Sequence, residues 1–228
     1  MPSTVLVTGA NRGIGLEFVR QYSAAGWRVH AACRHPEKAT QLNVLAGENT
    51  HIHSLDVAEV DQIAALAEKL QGEALDLLIN NAGVYGPSAQ AFGQLHPEPW
   101  LETFRVNSIA PLLMAQAFIE HLRAGQGRVI ANLGSKMGSI ADNHSGSSYI
   151  YRSSKAALNA ALKSLSLDLR SEFKVLILHP GWVRTDMGGA NAQIEVTESV
   201  RCMREHIAHA KAEDNGRFID IDGSTIPW

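Results

Sequence analysis

Apolar, β-rich runs alternate with helix-periodic segments along most of this chain, and no other feature narrows its fold as much. Strands are expected at Thr4–Thr8 (TVLVT), Trp27–Cys33 (WRVHAAC), Ile52–Leu55, Leu75–Ile79 (LDLLI), Arg128–Leu133 (RVIANL) and Lys174–Leu178 (KVLIL). Most carry apolar residues consecutively rather than alternately, as strands buried on both faces of a parallel sheet do. Between them, Val60, Ile63, Ala67 and Leu70 recur at helical spacing within 58–70. Leu158, Leu162, Leu165 and Leu169 do the same farther on. Parallel strands joined through helices need right-handed crossovers, so the pattern predicts a single doubly wound α/β sheet with helices on both faces. A length of 228 residues with 45% apolar and 19% charged residues suits one such domain over 1–228. The polar, Gly/Pro-containing stretches at 83–99, 134–148 and 186–193 read as loops at strand ends, where ligands of open α/β sheets bind.

The same composition excludes several functions. A net charge of −3 gives no basic footprint for nucleic acid. The start MPSTVLVTG lacks the basic and long apolar regions of a secretion signal, and no apolar stretch reaches bilayer-spanning length. Two cysteines, Cys33 and Cys202, suit a reducing compartment. A soluble cytoplasmic protein is expected.

TVLVTGANRGIG places Gly9, Gly13 and Gly15 directly after the first strand and ahead of a helix, with Asn11, Arg12 and Ile14 between them. Glycines permit close backbone approach, and a helix N-terminus offers free N–H groups to a pyrophosphate. The expectation is a Rossmann-type dinucleotide site, although the spacing G-x-x-x-G-x-G differs from the commoner G-x-G-x-x-G. At the end of the second strand stands Arg34, with no acid before Glu37. NAD binders usually carry an acid there for the ribose 2′-OH, whereas an arginine accommodates a 2′-phosphate. With Arg12 as a second cation, the cofactor expected is NADP(H).

In YIYRSSK (149–155), Tyr151 and Lys155 share a helical face. A free tyrosine has a pKa of about 10, too high for a base at neutral pH. An ammonium ~5 Å away, at an effective dielectric of ~20, is worth about 3 kcal/mol, a little over two pKa units. Tyr149 has Ser153 at the corresponding position and no such help. Tyr151 is therefore the expected acid/base.

The set TGANRGIG, Asn80-Asn81-Ala82-Gly83, Asn107, a serine cluster after the fifth strand, Tyr151-x-x-x-Lys155 and Pro180-Gly181 resembles the short-chain dehydrogenase/reductase family, in the family's order. The stretches 137–169, HPGWVRTDMGG and NGRFIDIDGSTIPW look more narrowly like its sniffer-type carbonyl reductases and C-factor proteins. The resemblance implies catalytic roles for Asn107, a serine, Tyr151 and Lys155. Tyr151 would exchange a proton with the substrate oxygen during hydride transfer, and Lys155 would lower its pKa and bind the nicotinamide ribose. Asn107 would hold a water, and Asp56 and Val57 would meet the adenine. Asn81, Ala82 and Gly83 would line the cofactor. Pro180, Gly181, Val183 and Thr185 would hold the carboxamide end. A dimer or tetramer is also implied.

Ser139 stands at the family's usual distance of about a dozen residues before the tyrosine. Ser135 is a few residues farther, but it ends the strand and so faces the ligand crevice. Ser135 is preferred, the extra length being absorbed in the loop 142–148. The pairs His51/His53 and His206/His209 lack cysteines or carboxylates at metal spacing, so no metal is expected. Val196, Val200, Met203 and Ile207 read as a core or interface face, not a membrane helix. Trp182 either walls a substrate pocket or packs structurally.

The function expected is reduction of an aldehyde or ketone by NADPH. A substrate loop around 184–200 offers no anion-binding cluster at Met187-Gly188-Gly189-Ala190, which suits apolar or aromatic carbonyls. The rival expectation is a C-factor-like signalling or redox-sensing protein that binds dinucleotide without turnover. A sensor has no need of the tyrosine, so the complete set favours an enzyme.

Overall fold

The computed structural model describes residues 2–228. Its strands are β1 (Thr4–Thr8), β2 (Arg28–Cys33), β3 (Thr50–Ser54), β4 (Leu77–Asn80), β5 (Val129–Leu133), β6 (Lys174–Leu178) and β7 (Phe218–Ile219). They form one seven-stranded sheet in the order β3-β2-β1-β4-β5-β6-β7, with every pairing parallel. β1 and β6 have the predicted bounds. β3 starts two residues earlier than expected, because Thr50 pairs with Val29 at the sheet edge. β4 runs on to Asn80, which pairs with Asn132 of β5. β7, of only two residues, carries no readable period and was not expected.

The helices are α1 (Gly13–Ala24), α2 (Thr40–Asn43), α3 (Val60–Lys69), α4 (Pro97–Phe104), α5 (Ala110–Ala117), α6 (Ile119–Ala124), α7 (Tyr149–Asp168) and α8 (Val196–Ala208). Strand side chains alternate between two layers. Val5 and Val7 join a core with Phe18 of α1 and Val200, Met203 and Ile207 of α8. Leu6 joins a second core with Ile63 of α3, Met114 of α5 and Leu158 and Leu162 of α7. The apolar face read on 196–207 is thus core. Leu162 is completely buried, and its replacement by alanine would cost roughly 2–5 kcal/mol. Among the described residues, no helix is long and apolar enough to cross a membrane.

The strand order reverses between β1 and β4, which opens a crevice at their carboxyl ends. Thr8 binds the two strand ends together, its hydroxyl oxygen accepting from the backbone N–H of Asn81 and of Ala82, each at 3.1 Å.

Candidate active site

A cleft of about 550 Å³ runs along this crevice. One end is floored by the glycine loop, where Gly9, Asn11, Arg12, Gly13, Ile14 and Gly15 all reach the surface of the cleft. Gly9 has φ +65°, and a Cβ on Gly15 would fall 2.2 Å from the Gly9 carbonyl oxygen, so the turn closes only with glycine at both positions. No side chain caps α1 and its first turn has no acid. Its first intrahelical bond is Leu16 N to Arg12 O, 3.2 Å, which leaves the N–H groups ahead of Leu16 for an anion. These features fit a dinucleotide pyrophosphate.

Arg34, Asp56 and Val57 line the same cleft at the ends of β2 and β3. His35 and Gln41 join them; sequence reasoning missed both, although His35 follows Arg34 directly. The Arg12 guanidinium is paired with the Asp186 carboxylate from the loop after β6, both groups being exposed. Asn81, Ala82 and Gly83 form the middle of the cleft wall. The Asn81 side-chain amide is committed to the protein, donating to the carbonyls of Thr8 (2.8 Å) and Gly9 (3.1 Å). It thereby holds the glycine loop in place.

At the inner end stand Tyr151 and Lys155, on the first turns of α7. Tyr151 is 9% exposed, Tyr149 41%. Only one of the two phenols is in the cleft. Burial holds the Tyr151 pKa above its ordinary value, hydrogen bonding from Ser135 pulls it down, and the neighbouring Tyr85 adds to the rise. Lys155 donates from Nζ to the Leu133 carbonyl at the end of β5, 2.8 Å, and its burial lowers its pKa to about 8. The expected depression of the tyrosine by the lysine is therefore corrected: desolvation of the phenol outweighs the Ser135 hydrogen bond, its one lowering influence.

Ser135 lies two residues past the end of β5, not within the strand as expected, and beside Tyr151, its Oγ accepting from Met137 N at 3.3 Å. Ser139 is engaged elsewhere, its hydroxyl donating to Pro227 O (2.6 Å) and accepting from Asp142 N (3.0 Å). Asn107 lies in a π-helical turn, Arg105–Ile109, between α4 and α5; such turns concentrate at functional sites. Its amide accepts from Val84 N (2.9 Å) and donates to Val84 O (2.8 Å) and Ser154 Oγ (3.0 Å). Ser154, which sequence reasoning missed, donates in turn to the Tyr151 carbonyl, 2.8 Å. A Cβ on Gly83 would meet Asn107 Oδ1 at 3.3 Å and Lys155 Nζ at 3.8 Å, so a side chain there would crowd the Asn107 amide.

Of the residues expected at the carboxamide end, Pro180 and Thr185 line the cleft. Gly181 and Val183 lie one layer back: Gly181 packs on Ile194, and Val183 is buried and bridged to Ile194. The loop between β6 and α8 closes on itself. Trp182 Nε1 donates to Gly188 O (2.8 Å) and Arg184 Nε to Ala192 O (2.8 Å). Gln193 N and Ile194 N both donate to Trp182 O. Trp182 is half exposed outside the cleft wall, while Met187 lines it.

His53 and His30 form a buried pair, His30 Nδ1 lying 3.0 Å from His53 Nε2. Burial and neighbouring positive groups lower each pKa to about 4. Among the described residues, no cluster of three or more His, Cys, Asp or Glu side chains could hold a metal.

The parallel sheet, the glycine loop at its switch point and the Tyr/Lys pair together define a Rossmann-type dinucleotide site of the oxidoreductase kind. A family model described as short chain dehydrogenase matches residues 3–196, and the chain belongs to that family. It is 46% identical over 155 residues to the C-signal of Myxococcus xanthus, covering 68% of this chain and 93% of that protein. It superposes on the carbonyl reductase Sniffer of D. melanogaster with TM-score 0.94, 34% identity and 100% of both chains covered. The NADPH-bound carbonyl reductase from chicken fatty liver gives TM-score 0.92 at 37% identity, again over 100% of both chains.

Proposed function

We propose that this chain is an NADPH-dependent reductase of aldehyde and ketone carbonyls, with Tyr151 as the proton donor. The observation that carries the reading is the pair Tyr151 and Lys155 at the inner end of a cleft that begins at a glycine loop, with Ser135 hydrogen-bonded to Tyr151. NADP(H), when bound, supplies the hydride. Gly9 to Gly15 would take its pyrophosphate, Arg34 and Arg12 its 2′-phosphate, and Asp56 and Val57 its adenine. Asn81, Ala82, Gly83, Pro180 and Thr185 would line its nicotinamide half, with Gly181 and Val183 supporting the wall.

The raised pKa of Tyr151 keeps the phenol protonated at neutral pH, which is the form that gives a proton to an oxygen gaining negative charge. The Ser135 hydroxyl would orient that oxygen. Lys155, tied to Leu133 O, would place its ammonium beside the ribose. Asn107, held by Val84 and Ser154, would position a water next to Lys155. The loop at 184–200 would close over the carbonyl, offering apolar surface at Met187. Relatives bearing carbonyl reductase names support this choice.

Oxidation of NADPH in the presence of an aromatic aldehyde tests the reading. Tyr151→Phe is expected to abolish turnover while NADPH affinity, read by fluorescence, stays within about twofold; retained turnover would refute the mechanism.

A second reading, a signalling protein that binds the dinucleotide without turnover, draws on the identity to the C-signal. The occupied tyrosine, lysine and serine positions favour the enzyme.

A further inference from the structure

We propose, building on the carbonyl-reductase reading, that Tyr85 is the specificity-determining residue of the site: its ring is the platform against which a flat aromatic substituent on the substrate carbonyl lies. Tyr85 comes from the loop after β4, and its ring centroid is 4.8 Å from that of Tyr151 at an interplanar angle of 34°. Its hydroxyl is 2.8 Å from Ser148 Oγ, so its polar atom is already engaged. The residue is 36% exposed, and with the hydroxyl engaged the ring is what it offers a ligand.

The platform is fastened to the reacting residue at three points. The first is the Ser148 contact, at the residue just before α7. Ser147 and Ser148 have φ of +56° and +49°, backbone angles that a non-glycine residue adopts only when its surroundings impose them. The second is Gln90, whose Nε2 donates to Tyr85 O (2.9 Å) and Pro87 O (2.8 Å). The third is the other end of the same buried amide, where Gln90 Oε1 accepts from Tyr151 N at 2.9 Å. Gln90 thus joins the Tyr85 loop to the backbone of the catalytic tyrosine. The distance between the two rings is set by these ties and not by a free loop.

With a carbonyl oxygen held at Tyr151 and Ser135, the substituent on its carbon would lie toward this ring, whose centroid is 4.8 Å from that of Tyr151. Aromatic pairs gain from offset or tilted contact at centroid separations of about 4.5–7 Å, beyond the area they bury. An aliphatic substituent gains only buried area, which discriminates weakly. Tyr85 therefore selects aryl aldehydes and aryl ketones over short aliphatic carbonyls. A merely structural Tyr85, shielding the Tyr151 ring from water, would affect every carbonyl alike.

The test compares benzaldehyde with butanal, each with NADPH, for wild type, Tyr85→Phe and Tyr85→Leu. Tyr85→Leu is expected to lower the ratio of kcat/KM for the aryl over the alkyl aldehyde by roughly three- to tenfold, with the change in KM. Tyr85→Phe, which keeps the ring and loses the Ser148 contact, retains the larger part of the ratio. Benzyl alcohol bound to the enzyme–NADPH complex should weaken by a similar factor in the leucine variant, and unaltered NADPH affinity shows that the variant is folded. Equal losses for both aldehydes, or an unchanged ratio, would overturn the proposal. A wild type that reduces neither aldehyde would instead sink the carbonyl-reductase reading itself, and this assignment with it.

Discussion

Arg12 of the glycine loop and Asp186 of the loop between β6 and α8 form an ion pair at the cleft. The cation expected to meet the 2′-phosphate is thus held by an internal carboxylate. Freeing it by Asp186→Asn should tighten NADPH binding by no more than about fivefold, because both groups are exposed and such pairs are weak. NADH should change less. Arg34→Asp should act in the opposite direction, weakening NADPH roughly ten- to hundredfold while sparing NADH. Titration of each variant with both cofactors measures this; equal losses for NADPH and NADH in Arg34→Asp would refute the 2′-phosphate assignment.

The buried ammonium of Lys155 has its pKa lowered to about 8. It is charged below that pH and loses its proton above it. The phenol of Tyr151, shifted upward, stays protonated through this range. Carbonyl reduction should therefore be level on the acid side of pH 8 and decline above it, with Lys155 as the titrating group. A pH profile of kcat/KM that stays flat to pH 10 would contradict the assignment.

The two serines can be separated by readout. Ser139 is spent on Pro227 and Asp142, so Ser139→Ala should lower stability by about 1–3 kcal/mol and leave turnover largely intact. Ser135→Ala should lower kcat by roughly a hundred- to a thousandfold with little change in the urea midpoint. Steady-state kinetics beside urea denaturation decides the matter, and a larger kinetic loss in Ser139→Ala would reverse it.

The His30–His53 pair sets an acid limit on stability. Above pH 6.5 both rings are neutral in folded and unfolded chain alike, and stability does not depend on them. Between 6.5 and their folded pKa of about 4, the unfolded chain takes up protons that the folded one refuses, so stability falls as pH falls. The urea midpoint should be lower at pH 5 than at pH 7, and His30→Asn should flatten that difference. An equal drop in the variant would place the acid sensitivity elsewhere.

Much of the architecture was legible because it rests on local patterns. The runs TVLVT and KVLIL carry three and four consecutive buried apolar residues, and β1 and β6 begin and end with them. The glycine loop and Tyr151-x-x-x-Lys155 were legible for the same reason, since short-range spacing sets which atoms share a turn. What escaped depends on contacts between distant segments. The Tyr85–Tyr151 ring contact, the Gln90 bridge and the commitment of Ser139 to Pro227 join residues far apart in the chain. The direction of the Tyr151 pKa was misjudged because the one-lysine argument priced the charge and left out the burial, and burial is a property of the assembled fold. The π-helical turn at Asn107 has no sequence period of its own.

The segment from Trp182 to Ile194 satisfies its own backbone through the contacts of Trp182 and Arg184. It behaves as a cassette: it enters and leaves the fold at neighbouring points and carries its internal bracing with it. An exchange of this cassette between relatives would carry Asp186 and Met187 with it, and also Val183 and Thr185 of the proposed cofactor wall, while leaving the strand ends in place. Under the proposed reading, substrate range would then answer to two separately braced parts, this cassette and the Tyr85 loop tied down by Gln90.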